Sequence, residues 1–455
     1  MEKLSIQEIL QAVGGKPCHS AEGFVTGISI DSRNMQPGWL FIAIEGEHFD
    51  GHDFVNAVVE QGAAAVLVHH PVETSVPAIL VENTRQALLD LAGYYRSRFS
   101  VPVVGVTGSV GKTSTKEMIY TVLSADRQTL KTEGNFNNEI GMPLTLLRLQ
   151  NSDQAAVIEM GMSGLGEIHA LSSAARPDIG VITNIGVSHI EKLGSQENIL
   201  RAKLEILDGM HDTAPLILNG DDPFLFPLRE KLSREILYYG IENLSADIRA
   251  ENIKQENTTT VFDIVYYGYR VPVQLPVIGR HNVLNALAAF AVGIALDIQP
   301  DKMAAALRYY QPAGMRQNVI DCGGVTLIND CYNASPDSMR AALTVLKDTP
   351  CAGRRIAVLA DMLELGDYSR QAHWEVGKMA AERGIDCLLC CGEAGEYIAQ
   401  GAVEAGMEKV RYFAGKEEMT SYIRLTVREG DAILFKASRG MHLEQVIAAI
   451  FPQEI

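Results

Sequence analysis

The sequence predicts an α/β protein of three domains, on three observations. At roughly 150 residues per domain, a chain of 455 residues suggests about three of them. From Val101 onward, apolar runs of strand length alternate with helical patterns, as in parallel sheets covered by helices. A composition of 47 % hydrophobic and 21 % charged residues is that of an ordinary globular chain, outside the disordered classes.

The first domain, residues 1–83, reads as a small α/β unit. Residues 27–33 and 40–44 are rich in β-branched and aromatic side chains and read as strands, with Met35-Gln36-Pro37-Gly38 as the turn between them. Residues 53–61 read as a helix, and 63–68 and 78–81 as two further strands. An amphipathic helix over 84–99 opens the second domain, residues 84–314. Its clearest strands are 101–106, 155–158 and 179–182. The stretch 247–277 departs from this plan and alternates apolar with polar residues, which predicts a small antiparallel insertion. Residues 281–296 return to a long, mostly buried helix. The third domain, 315–455, has strands at 325–328, 356–359, 387–391 and 432–435 separated by helices, a Rossmann-like α/β pattern.

Charge narrows the function. Lys and Arg total 39 against 56 Asp and Glu, a net −17 that repels nucleic acid and anionic membrane surfaces. An anionic substrate would need local cations or metal ions. No basic-then-apolar leader follows Met1, and the longest uncharged apolar run, 286–296, falls short of the about 20 residues that span a bilayer. Seven Cys spread thinly imply no disulfide framework. Together these features predict a cytoplasmic protein with neither nucleic-acid nor membrane partner. The pair Cys387 and Cys390 lacks a second ligand pair and reads as buried strand cysteines, not a zinc site. His69-His70 before Pro71 reads as an exposed loop.

The strongest local signal is Thr107-Gly108-Ser109-Val110-Gly111-Lys112-Thr113, where an apolar strand enters a Gly-rich loop and a helix begins at Lys112. Glycines let backbone N–H groups approach phosphate oxygens, and the helix N-terminus adds positive potential. Lys112 would reach the β- and γ-phosphates, and the Thr113 hydroxyl would hold Mg²⁺. The strict spacing of this motif wants Gly at 106, where this chain has Val; Gly105 and Gly108 stand in its place. The second domain thus reads as a P-loop, parallel-sheet ATPase domain.

A neighbouring strand in such sheets ends in an acid that helps hold the metal, and Glu159 occupies that position. The strand at 179–182 leads into a loop carrying Asn184 and His189, at the sheet edge where ligands bind. Taken singly, His189 reads as a packing histidine and Glu159 as an N-cap neighbour. Their convergence on one edge favours metal ligation. Lys203, read from its helix alone, is a solvated lysine.

These residues, with His281-Asn282-Val283-Leu284-Asn285-Ala286, together resemble the Mur ligases, ATP-dependent amide-forming enzymes of peptidoglycan synthesis. Residues 132–143, 329–339 and 359–366 resemble the branch that adds D-alanyl-D-alanine to the UDP-N-acetylmuramoyl tripeptide. Asp31-Ser32-Arg33 and Phe49-Asp50-Gly51-His52 look like its UDP-substrate domain, so the resemblance covers nearly the whole chain. The family usually has Asn-Ala-Asn-Pro where this chain has Asn333-Ala334-Ser335-Pro336, and Gly where it has Ala437.

The resemblance implies two steps, formation of an acyl phosphate from ATP and its capture by the dipeptide amine. It implies Lys112, His189, Lys203 and Arg316 in catalysis. It implies two Mg²⁺ ions, one on Thr113 and Glu159, the other on His189 and a carbamylated Lys203. Nucleotide contacts would come from the phosphate loop, Asn137, Asn282, Arg316 and Asp330. Substrate contacts would come from Ser32 and Arg33 and, for the dipeptide, Asn333 and Asp361. The expected partners are these two small molecules, bound by a monomer. Two other readings share the phosphate loop: a folylpolyglutamate-synthase-like ligase and an ATP-hydrolysing switch protein. The separate N-terminal domain argues against the first, and the paired metal set against the second.

Overall fold

The computed structural model describes residues 1–18, 20–46 and 48–452. The protein is α/β with mostly parallel sheets, in two compact units. The first comprises Met1–Thr107, Arg127–Gly180 and Leu204–Pro215; the second comprises Gly108–Asp126, Val181–Lys203 and Leu216–Ile455.

In the first unit, a five-stranded sheet runs in the order Lys16–Pro17, Ala78–Leu80, Ala65–Val68, Trp39–Ile42, Gly27–Ser29. Only the Lys16–Pro17 edge is antiparallel. Phe41, Val55, Val58, Val66 and Val68 form its core, as short apolar runs covered on their faces should. The strand expected through residue 33 stops at Ser29. Asp31 accepts the backbone N–H of Arg33 and turns the chain into a 3-10 helix over Ser32–Asn34. The expected helix over 53–61 likewise divides into a 3-10 turn, Gly51–Phe54, and an α-helix, Val55–Glu60. Helix Thr84–Arg96 starts where Asn83 accepts the N–H groups of Arg85 and Gln86. Its buried Tyr95 hydroxyl donates to Leu149 O at 2.7 Å. Strand Val103–Thr107 pairs in parallel with Ala155–Glu159, which pairs in parallel with Thr129–Lys131.

The second unit contains helix Lys112–Ser124 and the parallel strands Leu216–Asn219 and Ile236–Gly240. The expected antiparallel insertion is present as Ile248–Glu256, Thr259–Tyr266 and Tyr269–Leu275. Helix Arg280–Ala295 follows and is almost wholly buried. A six-stranded sheet then runs Asn318–Cys322, Val325–Asp330, Ala432–Lys436, Arg355–Leu359, Cys387–Cys391, Val410–Phe413, with one antiparallel pair at the Asn318–Cys322 edge. Alternate residues of its strands feed two cores. Ile328, Leu359, Leu388 and Leu434 pack on one face and Leu327, Val358, Leu389 and Phe435 on the other, as a period of two requires. Cys390 and Cys391 are buried among them, and burial pushes the Cys391 thiol up to about 11. None of the described helices is long and apolar enough to cross a membrane.

Buried imidazoles in this unit make stability depend on pH. His373 accepts the N–H of Met362 at Nε2, 2.8 Å away, and His281 sits beside Gln317; burial holds both below the ordinary histidine value. The unfolded chain therefore takes up protons, below about pH 6.5, that the folded chain refuses. Stability is full above that value and falls as the pH drops below it. Thermal melts are expected to show a lower melting temperature at about pH 5.5 than at about pH 7.5, with a flatter dependence in His373→Gln. A melting temperature that rises on acidification would contradict it.

Candidate active site

The phosphate loop of the second unit is shaped by two glycines with positive φ. Gly108 has φ +143°, and a Cβ there would sit 2.0 Å from Thr183 Oγ1, so only glycine fits. Gly111 has φ +83° and leads into helix Lys112–Ser124. Asn184 pins the loop: its Oδ1 accepts the Val110 N–H at 3.0 Å and its backbone O accepts that of Ser109 at 3.0 Å. Thr183 Oγ1 donates to Val110 O at 2.6 Å. Behind the loop, Asn285 Oδ1 accepts the Thr115 hydroxyl at 3.0 Å, bracing one helix on the other. Lys112 folds back over the loop, its Nζ 2.8 Å from Gly108 O and 3.3 Å from Ser109 O. The Ser109 hydroxyl is buried with no hydrogen-bond partner. A buried donor at a helix N-terminus, beside an ammonium group and glycine backbone, fits a phosphate ligand.

His189 shares this environment. It has φ +62° and begins the short helix Ile190–Leu193, with Nδ1 2.5 Å from Glu364 Oε2. Burial pushes its pKa down, the Glu364 carboxylate opposes this, and the ammonium groups of Lys112 and Lys203 push it further down. His189 thus lies within electrostatic reach of both Lys112 and Lys203. Lys203 is buried, which excludes the solvated-lysine reading. Thr113 is buried in the first turn of its helix.

In the first unit, Thr107 Oγ1 donates to Met160 O at 2.9 Å. The buried Glu159 carboxylate ends strand Ala155–Glu159 and accepts the Asn137 side-chain amide at 2.8 Å. Its backbone N–H is held by Thr132 Oγ1. Glu159 and Thr113 offer hard oxygen donors of the kind Mg²⁺ takes. Ser32 and Arg33 lie on the 3-10 turn. Arg33 makes two hydrogen bonds to Asp31, at 2.9 and 2.8 Å, while its side chain is 86 % exposed and so open to a ligand. Those Arg33 bonds hold the Asp31 carboxyl at about 2.

Of the remaining candidates of the second unit, Asn282, Asp330 and Asn333 form one chain of contacts. Asn282 Nδ2 donates to Gln317 Oε1 at 3.1 Å, and the Gln317 N–H donates to Asp330 Oδ1 at 3.2 Å. The buried Lys436 ammonium bridges Asp330 Oδ2, at 2.7 Å, and Asn333 O, at 3.0 Å. Arg316 lies over the Tyr332 ring, 4.0 Å from its centroid. Asp361 accepts the Gly395 N–H at 2.8 Å, capping helix Gly395–Glu404. Gln317 and Lys436 were not legible as site residues, whereas Tyr332 and Glu364 lie within the stretches 329–339 and 359–366 that carry the resemblance, with no role read for either.

The chain is similar to known proteins over nearly its whole length. Residues 24–96 match the Mur ligase family catalytic domain, 106–293 the Mur ligase middle domain, and 315–439 the Mur ligase glutamate ligase domain. The UDP-N-acetylmuramoyl-tripeptide--D-alanyl-D-alanine ligase of Bacillus subtilis is 40 % identical over 455 residues, 98 % of each chain. The solved MurF of Acinetobacter baumannii superposes with a TM-score of 0.92 at 33 % identity, covering 100 % of both chains. MurF ligase from Thermotoga maritima, solved in complex with ADP, gives 0.85 at 30 % identity, over 94 % of this chain and 98 % of that one.

Proposed function

The chain belongs to the Mur ligase family, and we infer that it is an ATP-dependent, ADP-forming peptide ligase that adds D-alanyl-D-alanine to UDP-N-acetylmuramoyl-tripeptide in peptidoglycan synthesis. The observation that carries this is a glycine-shaped phosphate loop whose Lys112 shares an electrostatic environment with His189 and Lys203. The terminal carboxylate of the tripeptide attacks the γ-phosphorus of ATP, releasing ADP and forming an acyl phosphate. The dipeptide amine then attacks the acyl carbon, and inorganic phosphate leaves from the tetrahedral intermediate. Such chemistry asks a protein mainly for positioning and positive charge.

The residues divide these tasks. Lys112 and the loop N–H groups cradle the transferred phosphoryl group, with Thr107, Gly108, Ser109, Val110 and Gly111 shaping the cradle. Thr113 and Glu159 would hold one Mg²⁺, with Asn137 aligning the Glu159 carboxylate. His189 and a carbamylated Lys203 would hold a second. The ions neutralise charge on the phosphates when bound. Asn282 and Asp330 contact the nucleotide, and Arg316 adds charge near it. Residues 1–83 carry the UDP end of the substrate through Ser32 and Arg33. Residues 84–314 carry ATP, and 315–455 carry the dipeptide through Asn333 and Asp361. The reading includes a monomer working in the cytoplasm, where ATP and a nucleotide-activated precursor meet.

Phosphate release by the purified protein tests this reading. It should require the UDP-muramyl tripeptide and D-alanyl-D-alanine together. Release with folate and glutamate, or with ATP alone, would favour one of the other two readings. For the N-terminal domain, Arg33→Ala is expected to raise KM for the UDP substrate roughly tenfold, while KM for ATP stays put. Equal KM values for the UDP substrate in both proteins would remove Arg33 from that site.

A further inference from the structure

Three histidines gather at one end of the five-stranded sheet. Strand Ala65–Val68 runs out into His69 and His70, and an antiparallel bridge pairs Glu45 with Asp50, two residues before His52. The ring centroids are 4.2 Å apart for His52 and His69, 4.0 Å for His52 and His70, and 5.0 Å for His69 and His70. One ligand nitrogen from each lies within 4.8 Å of the other two.

The hydrogen bonds sort these groups by role. His52 is buried and both its nitrogens are engaged: Nε2 accepts the His69 backbone N–H at 3.1 Å, and Nδ1 lies 2.6 Å from Asp50 Oδ1. It is therefore a neutral imidazole donating from Nδ1, and burial, which lowers its pKa, agrees. That bond aims the Asp50 carboxylate, as an outer partner aims a metal ligand. Asp50 Oδ2 lies 4.0 Å from His70 Nε2, and Glu45 Oε2 lies 3.7 Å from His69 Nε2. Both separations are too long for hydrogen bonds. Each suits two donor atoms flanking an ion, since two bonds of about 2.1 Å at a tetrahedral angle hold their donor atoms roughly 3.4 Å apart, and His69 and His70 bring the two pairs together. Two imidazoles with carboxylate oxygens select a borderline divalent ion such as Zn²⁺ over Mg²⁺.

We propose that His69, His70 and Asp50, completed by Glu45 and with His52 orienting Asp50, form a binding site for one Zn²⁺-type ion that ties Glu45 and Asp50 to the end of strand Ala65–Val68. The site shares no residue with the Mg²⁺ ligands named above. Its function is to cross-link two stretches of the first unit, so its signature is metal-dependent stability.

The full-length protein, with Mg²⁺ and ADP saturating the nucleotide site, is titrated with ZnCl₂ by calorimetry and melted with and without the metal. The wild type should bind one Zn²⁺ per chain and melt higher with it. His69→Ala and His70→Ala should each weaken binding at least about tenfold and remove the rise, with metal-free melting temperatures close to wild type. His211→Ala, remote in sequence, should bind as the wild type does. Visible absorption of the Co²⁺-loaded protein should report a tetrahedral site in the wild type and lose that band in both variants. No Zn²⁺ binding, equal binding in the two variants, or binding lost only in His189→Ala would each overturn the proposal.

Discussion

Lys112→Ala is expected to lower the rate of ADP formation by about 10³-fold or more, the equivalent of about 4 kcal/mol of transition-state stabilisation. The size follows from the position of the ammonium group. It stands over the phosphate loop at the N-terminus of its helix, 2.8 Å from Gly108 O, where a bound phosphoryl group would meet its charge. Electrostatic stabilisation that needs no reorganisation is the largest single contribution in such sites. Arginine should not substitute, because its planar fork does not replace a compact point charge. Single-turnover measurement with both substrates saturating separates this loss from weakened ATP binding. Turnover near the wild-type rate would remove Lys112 from the chemistry.

Lys203→Ala should lose most activity, and a short carboxylate such as acetate should restore part of it. A plain ammonium group carries three donors and no acceptor, so it cannot ligate Mg²⁺. Reaction of the neutral amine with CO₂ gives a carbamate, an oxygen ligand suited to a hard cation. Lys203 is buried at the end of helix Gln196–Leu204, out of the solvent that an ordinary helix lysine would face. Melting temperature should stay near wild type in acetate, which separates rescue of chemistry from rescue of folding. An inactive variant indifferent to acetate, with intact mass showing an unmodified wild-type lysine, would sink the carbamate.

Local features of this site were legible and distant ones were not. The phosphate loop announced itself because glycines, a lysine and a threonine follow an apolar strand within a few residues. Glu159 was legible because strands Val103–Thr107 and Ala155–Glu159 both read as apolar runs, and an acid ends the second. Gln317 and Lys436 gave no such sign. Lys436 meets Asp330 only because strand Val325–Asp330 pairs in parallel register with Ala432–Lys436, which sets those two residues side by side. Gln317 belongs to the site through a backbone with φ +50°, a conformation its residue type does not announce. Lys203 carried a helical pattern that looks identical whether its side chain is solvated or buried. The apparent strand through Arg33 failed for a local reason, the Asp31 side chain competing for the backbone N–H.

The bond pattern of Lys436 bears on inhibition kinetics. One ammonium group holds both the Asp330 carboxylate, proposed to contact nucleotide, and the carbonyl of Asn333, proposed to contact the dipeptide. Displacing either partner leaves a buried positive charge half satisfied, a state that costs several kcal/mol in low dielectric. A compound that wedges the Asn333 loop away from its position therefore disturbs Asp330 as well. Such compounds should show mixed inhibition against ATP and against the dipeptide, even where they overlap only one of the two.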